Sequence, residues 1–309
     1  MSELMQAARI HQYGSDEVVQ IESIPVPEPQ ADEVLVRVRA ASVNPVDWAI
    51  RQGYLQAVTT LPMTLGWDVA GEIVSVGSNI SELKAGDEVY AMIRLRGGAF
   101  AEYVILKQHE VAKKPTSLDF IQAASIPAVA LTAWQALFDT ANIQAGQKVL
   151  VHAAAGGVGA FAVQFAKDKG AYVIGTASAA NEQYVRELCA DEFVDYRTTR
   201  FEDFVKDVDV VLDTIGDDTL ERSYGVVKRG GIIVSIAGRP TQEKGNEFSI
   251  RALRIEVEPS GEQLTRIGEL VDAGKVKTLV SQVFPFAEIR QAIETSHIGH
   301  GRGKIVVEI

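Results

Sequence analysis

The sequence predicts a turn-rich β barrel or sandwich over the first ~120 residues, followed by an α/β unit with a doubly wound parallel sheet. Three observations carry this. Early in the chain, Val34, Val36 and Val38 alternate with Leu35, Arg37 and Arg39, the period of a strand with one wet face. Later, buried apolar runs alternate with helical stretches of the length that parallel crossovers need. Between one such run and the next helix stands HAAAGGVGAF, His152 to Phe161.

The elements follow in order. IPVPEP, Ile24 to Pro29, places a proline at every second residue and reads as an extended connector. DVAGEIVSVGSNISELKAGDEVYAMI holds two strand-like runs separated by turn residues, and GGAFAEYVIL adds another. FIQAASIPAVALTAWQALF is Ala-rich and helix-prone on both sides of Pro127. KVLVHA is a buried strand, after which Val158, Phe161, Ala162, Phe165 and Ala166 form a helical face closed by Gly170. AYVIGT, DVDVVLD and GGIIVSIAG repeat the buried-strand pattern. Ser260 and Gln263 suit the start of a helix carrying Leu264, Ile267 and Val271, with Gly274 as its stop. The strand-like tail GRGKIVVEI would return to complete the first domain.

Composition narrows the function classes. Of 309 residues 47% are hydrophobic and 23% charged, as in a globular protein with a real core. Thirty Lys and Arg against 41 Asp and Glu give a net charge of -11 with no basic stripe, so nucleic acid is not an expected partner. The single Cys189, expected on a packed helix, leaves no disulfide framework or thiolate cluster and suits a reducing cytoplasm. The opening MSELMQAARI lacks the regions of a signal peptide. Val149 to Ala166 is almost free of charge, but His152, Gln164 and the glycines argue against a membrane span.

In HAAAGGVGAF, Ala154, Gly156 and Gly159 stand at the three spacings of the dinucleotide fingerprint, with alanine in place of the first glycine. Small residues there, with Gly157 and Val158 opening the helix, let the backbone approach a pyrophosphate at the helix N-terminus. The competing reading is a tight structural turn. Thr214, Ile215 and Gly216 after one strand, and Ile236 and Ala237 after the next, fall at carboxyl ends of strands, where an open α/β sheet binds ligands. Ordinary turns would use the same residues.

Across almost its whole length the sequence resembles the zinc-independent quinone oxidoreductases, the zeta-crystallin-like branch of the medium-chain dehydrogenase/reductases. The matching pieces are ASVNPVDW, GWDVAGEIVSVG, KAGDEVYA, IPAVALTAW, VHAAAGGVGAFAVQFAK, DYR, VLDTIG and GRGKIV. The resemblance implies a GroES-like barrel domain, residues 1–122 with 281–309, and a Rossmann domain, residues 123–280, with the active site in the cleft between them. It also implies a homodimer.

Zinc-dependent relatives carry their cysteine and histidine ligands at positions that correspond here to Asn44, Trp67 and Ala128, so no metal is expected. His297 and His300, in a Gly-rich tail, read as surface residues. Without a Lewis acid an alcohol is hard to oxidise, whereas a quinone or α,β-unsaturated ketone accepts hydride and moves the charge onto a distant oxygen. By resemblance Asn44 would orient the substrate or the nicotinamide ribose, Tyr54 would touch the substrate or supply a proton, and Thr132 would contact the nicotinamide carboxamide. Asn44 also reads as a turn residue before Pro45, Tyr54 as a loop aromatic and Thr132 as a packed helix residue. Asp47 is expected to brace its loop, and Trp48, Trp67 and Trp134 to serve the core.

NAD-specific folds place an acid about 20 residues after the glycines. Here the second strand ends with Thr176, Ala177 and Ser178, where no acid repels a 2′-phosphate and a hydroxyl can bind it. Tyr196, beside Arg197, matches a segment flanking that phosphate in relatives, while Glu182 stands where many carry a lysine. The expected cofactor is NADPH, with NADH as the alternative. The expected function is reduction of quinones or other activated alkenes. The alternatives are an alkenal or enoyl reductase of narrow range, and an NADPH-holding sensor or structural protein with little turnover.

Overall fold

The computed structural model describes residues 3–299 and 301–309, so His300 lies outside the described residues. The chain divides into two compact units. The first runs to Ala128 and takes up Glu258–Gly274 and Thr278–Ile309; the second comprises Val129–Val257 and Lys275–Lys277.

The first unit is built from β1 (Leu4–Ile10), β2 (Gln20–Pro25), β3 (Glu33–Val43), β4 (Met63–Thr64), β5 (Asp68–Val76), β6 (Glu88–Met92), β7 (Tyr103–Lys107) and β8 (Val111–Lys113). β1 pairs with β2 on one side and β4 on the other. Part of the expected Pro-rich connector is therefore strand: Ile24 and Pro25 lie opposite Met5 and Leu4 at a sheet edge, where proline removes no needed donor. The alternating valines form the core-facing side of β3, which pairs with both β5 and β7.

The unit's larger sheet is extended by strands from the far end of the sequence. β16 (Lys304–Glu308) lies antiparallel to β3, with Ile305 opposite Val43, and β15 (Val280–Pro285) lies parallel to β16. The tail thus pairs within the first unit. The helix Gly261–Asp272 begins where Ser260 Oγ accepts the Gln263 N–H at 3.2 Å and stops before Gly274, whose φ of 70° is left-handed. It packs in this unit, where the Tyr90 hydroxyl donates to Leu264 O.

The second unit holds β9 (Lys148–Val151), β10 (Tyr172–Ala177), β11 (Glu192–Asp195), β12 (Val208–Asp213), β13 (Val227–Ser235) and β14 (Arg251–Arg254). They form one sheet in the order β11-β10-β9-β12-β13-β14, parallel throughout. Counted within the unit this is the order 3-2-1-4-5-6 of a dinucleotide-binding sheet, which reverses between β9 and β12 and opens a crevice there. β11 and β14 carry too few apolar residues to stand out from the sequence pattern.

The apolar stretch Val149 to Ala166 is split between β9, a turn and the helix Gly157–Asp168, buried around nearly its whole circumference from Gly159 to Ala166. Among the described residues no helix is long and apolar enough to cross a membrane. Cys189 departs from expectation: the preceding helix ends at Glu187, and Cys189 is exposed with a φ of 71°, a helix-terminating turn rather than a packed face.

Candidate active site

In the second unit the glycine stretch is a built cradle. The chain leaves β9 with His152 N–H donating to Leu212 O at 3.0 Å and Ala154 N–H donating to Thr176 O at 2.9 Å, which ties the turn to both neighbouring strands. Ala153 takes a left-handed φ of 49°. Gly156 then caps the helix Gly157–Asp168 without any side-chain acceptor, so no capping side chain takes up the N–H groups of its first turn, at Gly157, Val158 and Gly159. Glycine is required at 159: a Cβ there would lie 2.3 Å from Ala153 O and 2.8 Å from Ala154 Cα. Buried Ala154 in turn meets the glycine of β10, since a Cβ on Gly175 would lie 2.9 Å from Ala154 Cβ.

Behind the cradle lies a residue the sequence reading did not single out. The buried His152 ring contacts Thr176 Oγ1 through Nδ1 at 3.1 Å and Ser223 Oγ through Nε2 at 2.9 Å. Burial, with Arg222 nearby, pulls its pKa down to about 4 against the opposing pull of Asp213 and Glu202, so the ring is neutral. The Thr214 hydroxyl donates to His152 O at 2.8 Å.

Asp213 organises the two loops at the next strand ends. Its Oδ1 accepts the N–H groups of Ile215 and Gly216 at 3.1 and 2.9 Å, and its Oδ2 accepts the Ser235 hydroxyl at 2.6 Å. Ser235 Oγ accepts Gly238 N–H at 2.8 Å. Ile215 and Ala237 are thereby held exposed at the strand ends, with Ile236 half-buried. Gly216 has a left-handed φ of 82°, which disfavours any side chain, and a Cβ there would also crowd Gly238 N at 3.1 Å.

The acid-free end of β10 meets the segment after β11. Tyr196 N–H donates to Ala177 O at 3.2 Å, which sets the 54% exposed Tyr196 beside half-buried Ser178. The Arg197 guanidinium stands 5.9 Å from the Tyr196 ring centroid. Glu182 turns along its own helix to Arg186, with Nε donating to Oε1 at 2.9 Å. Its carboxylate is thus paired within its own helix.

The first unit holds a second cluster, around Asn44. Asp47 is fully buried and accepts Asn44 N–H at 2.8 Å and Gly66 N–H at 3.1 Å, the bracing role expected of it. Burial pushes its carboxyl up to about 7, against those two bonds and Lys304. The Asn44 side chain donates from Nδ2 to Asp68 Oδ2 at 2.8 Å and accepts from Lys304 Nζ at 2.6 Å. Asp68 also accepts the Ser42 hydroxyl at 2.7 Å and Ala128 N–H at 2.7 Å. Tyr54 follows the helix Pro45–Arg51, 72% exposed and edge-on to Trp48 at 6.4 Å. His297, on the last turn of the helix Ile289–Ile298, lies 4.8 Å from the same Trp48. Thr132 is buried in the helix Pro127–Trp134, in the part from Val129 onward that belongs to the second unit. Each sequence-predicted residue is therefore placed within one unit or the other: Asn44 and Tyr54 in the first, Thr132 and the cradle in the second.

A zinc ion does not fit the Asn44 cluster. Asn44, Trp67 and Ala128 offer neither thiolate nor imidazole, the Asp68 carboxylate is spent on three donors, and no metal-binding group of His, Cys, Asp or Glu occurs among the described residues. A dinucleotide does fit the second unit, whose uncapped helix end and Gly159 leave backbone donors and space for a pyrophosphate.

Fold and site define a dinucleotide-dependent oxidoreductase of the medium-chain dehydrogenase/reductase class. Residues 30–116 match the model of the alcohol dehydrogenase GroES-like domain, and residues 188–307 that of the zinc-binding dehydrogenase. An Arabidopsis thaliana NADPH-dependent alkenal/one oxidoreductase is 38% identical over 96% of this chain and 77% of its own length. The quinone oxidoreductases of Pongo abelii and Homo sapiens are 34% and 33% identical to the chain, each over 97% of this chain and 95% of its own length. The Coxiella burnetii quinone oxidoreductase structure superposes with a TM-score of 0.92 at 34% identity, covering 99% of this chain and 100% of that one. The chain belongs to the zinc-independent quinone oxidoreductase branch of the medium-chain dehydrogenase/reductases.

Proposed function

We propose that this protein is an NADPH-dependent reductase of α,β-unsaturated carbonyl compounds, alkenals and enones as well as quinones. The observation that carries this is the uncapped helix end at Gly157–Gly159 together with a second strand, β10, that ends at Ala177 and is followed by Ser178 rather than by an acid. The relatives support both acceptor classes: beside the alkenal/one and quinone enzymes stands a tomato 2-methylene-furan-3-one reductase, 35% identical over 98% of this chain. A structure of Escherichia coli quinone oxidoreductase with NADPH has a TM-score of 0.90 to this fold.

The cofactor supplies a hydride when bound. The chain supplies the rest. The backbone donors of Gly157, Val158 and Gly159 hold the pyrophosphate at the positive end of the helix. Ser178 and Tyr196 offer hydroxyls to the 2′-phosphate, and Thr176, Thr214, Ile215, Gly216, Ile236 and Ala237 line the strand ends along the cofactor. Asn44 would orient the substrate or the nicotinamide ribose, Thr132 would contact the carboxamide, and Tyr54 would touch the substrate or supply a proton to the reduced product. We place the enzyme in the cytoplasm as a homodimer, in keeping with its single cysteine and the expected family assembly.

The deciding experiment follows loss of nicotinamide absorbance with p-benzoquinone, an alkenal and a cyclic enone, using NADPH and then NADH. Acceptor-dependent oxidation of NADPH supports the reading. Tight NADPH binding without turnover on any of the three would move the protein to the nucleotide-holding class.

A further inference from the structure

Asn44 stands where two strand registers converge. Ser42 of β3 lies opposite Asp68 of β5, and Val43 lies opposite Ile305 of β16, which brings the preceding Lys304 to the Asn44 end of β3. One buried ammonium and one buried carboxylate are thereby bonded to opposite ends of the same amide, Lys304 Nζ to Oδ1 at 2.6 Å and Asp68 Oδ2 to Nδ2 at 2.8 Å. Lys304 also donates to Val43 O at 2.8 Å, and its distance to Asp68 Oδ2 is 3.6 Å.

Stability does not explain this arrangement. A buried ion pair at that separation recovers little more than the cost of removing both charges from water, and apolar residues of the same volume would hold the strands as well. The amide does explain it. An ammonium only donates and a carboxylate only accepts, so the pair admits one orientation of the Asn44 amide and forbids the flipped one. The ammonium on Oδ1 also draws density from Nδ2 and strengthens its N–H groups as donors. One amide hydrogen is well used by Asp68; the other has only a 3.4 Å contact with Ser42 O.

We propose that Lys304 and Asp68 are positioning residues, which lock Asn44 so that its second, polarised Nδ2–H is offered to an oxygen acceptor on the bound substrate or on the nicotinamide ribose. The proposal rests on the reductase reading above and adds to it two residues, 236 positions apart, that act through a third.

The test combines a spectrum with a kinetic cycle. In ¹⁵N-labelled protein the Asn44 side-chain amide, assigned by its loss in Asn44→Ala, is expected to be shifted downfield and protected from exchange. In Lys304→Met it should exchange at least ~10-fold faster. Addition of NADPH or of an enone should shift the same signal; if neither does, the proposal falls whether or not the enzyme turns over.

In the cycle, Lys304→Met is expected to lower kcat by at least ~10-fold in the wild type and by less than about twofold in the Asn44→Ala background. Equal losses in both backgrounds would show a structural role only and overturn the proposal. A raised KM for the enone places the acceptor oxygen on the substrate, and a raised KM for NADPH places it on the ribose; either supports the lock. Should Lys304→Met fail to fold, the isosteric Asp68→Asn carries the same two measurements. Absence of wild-type turnover on every acceptor would overturn the reductase reading, while the ligand-induced shift of the Asn44 amide still decides the lock.

Discussion

The ring of His152 is held between Thr176 at 3.1 Å and Ser223 at 2.9 Å, so that a neutral, buried histidine joins β9, the end of β10 and the helix Asp217–Ser223 beneath the cradle. Its pKa, lowered to about 4 by burial, makes it a determinant of acid stability. The unfolded chain binds the proton near the ordinary value of 6.5, before the folded chain does. The contribution is therefore complete above pH 6.5 and lost as pH falls from there toward 4, by about 3 kcal/mol in all. Thermal unfolding followed between those pH values should decline less steeply in His152→Gln than in the wild type. Parallel declines would show that another group titrates.

Gly159→Ala tests the cradle as a piece of the fold. The added methyl meets the Ala153 carbonyl and the Ala154 Cα, backbone atoms that no rotamer change can move aside. A loss of about 3 kcal/mol in unfolding free energy is expected, with NADPH affinity falling as the turn is displaced. Wild-type stability would mean that the turn is softer than its geometry indicates.

Ser178→Asp tests the cofactor. An acid at the end of β10 repels the 2′-phosphate and can accept from a ribose hydroxyl, so NADPH affinity should fall by roughly tenfold or more while NADH affinity holds or rises. Fluorescence titration with both nucleotides reads this directly. An unchanged NADPH affinity would place the 2′-phosphate away from Ser178 and Tyr196.

Tyr54→Phe tests the proton donor. Because Tyr54 is 72% exposed, removal of its hydroxyl should change stability by no more than about 0.5 kcal/mol. Turnover should fall with NADPH affinity unchanged, and the loss should grow for acceptors whose reduced product needs a proton at carbon. Unaltered kcat on alkenals would remove Tyr54 from the chemistry.

What could be read from the sequence was local. Strand–turn–helix around Gly156 and Gly159, the Ser260 start and Gly274 stop of a helix, and the alternation in β3 and β16 each depend on residues a few positions apart. Backbone sterics, capping and burial period act over such distances, so the fold class and the strand–turn–helix at the glycines were both legible. The same locality misled at Cys189, where an apparently continuous helix ends in a left-handed turn. Only the tertiary structure decided the rest. Lys304 reads as one charge in a terminal strand, and Asp68 and Asp213 as acids at strand ends, until sheet register sets Lys304 against Asn44 and Asp213 against Ser235. A buried polar group takes its role from the partner that satisfies it, and here the partners lie tens to hundreds of residues away, where no pattern along the chain can name them.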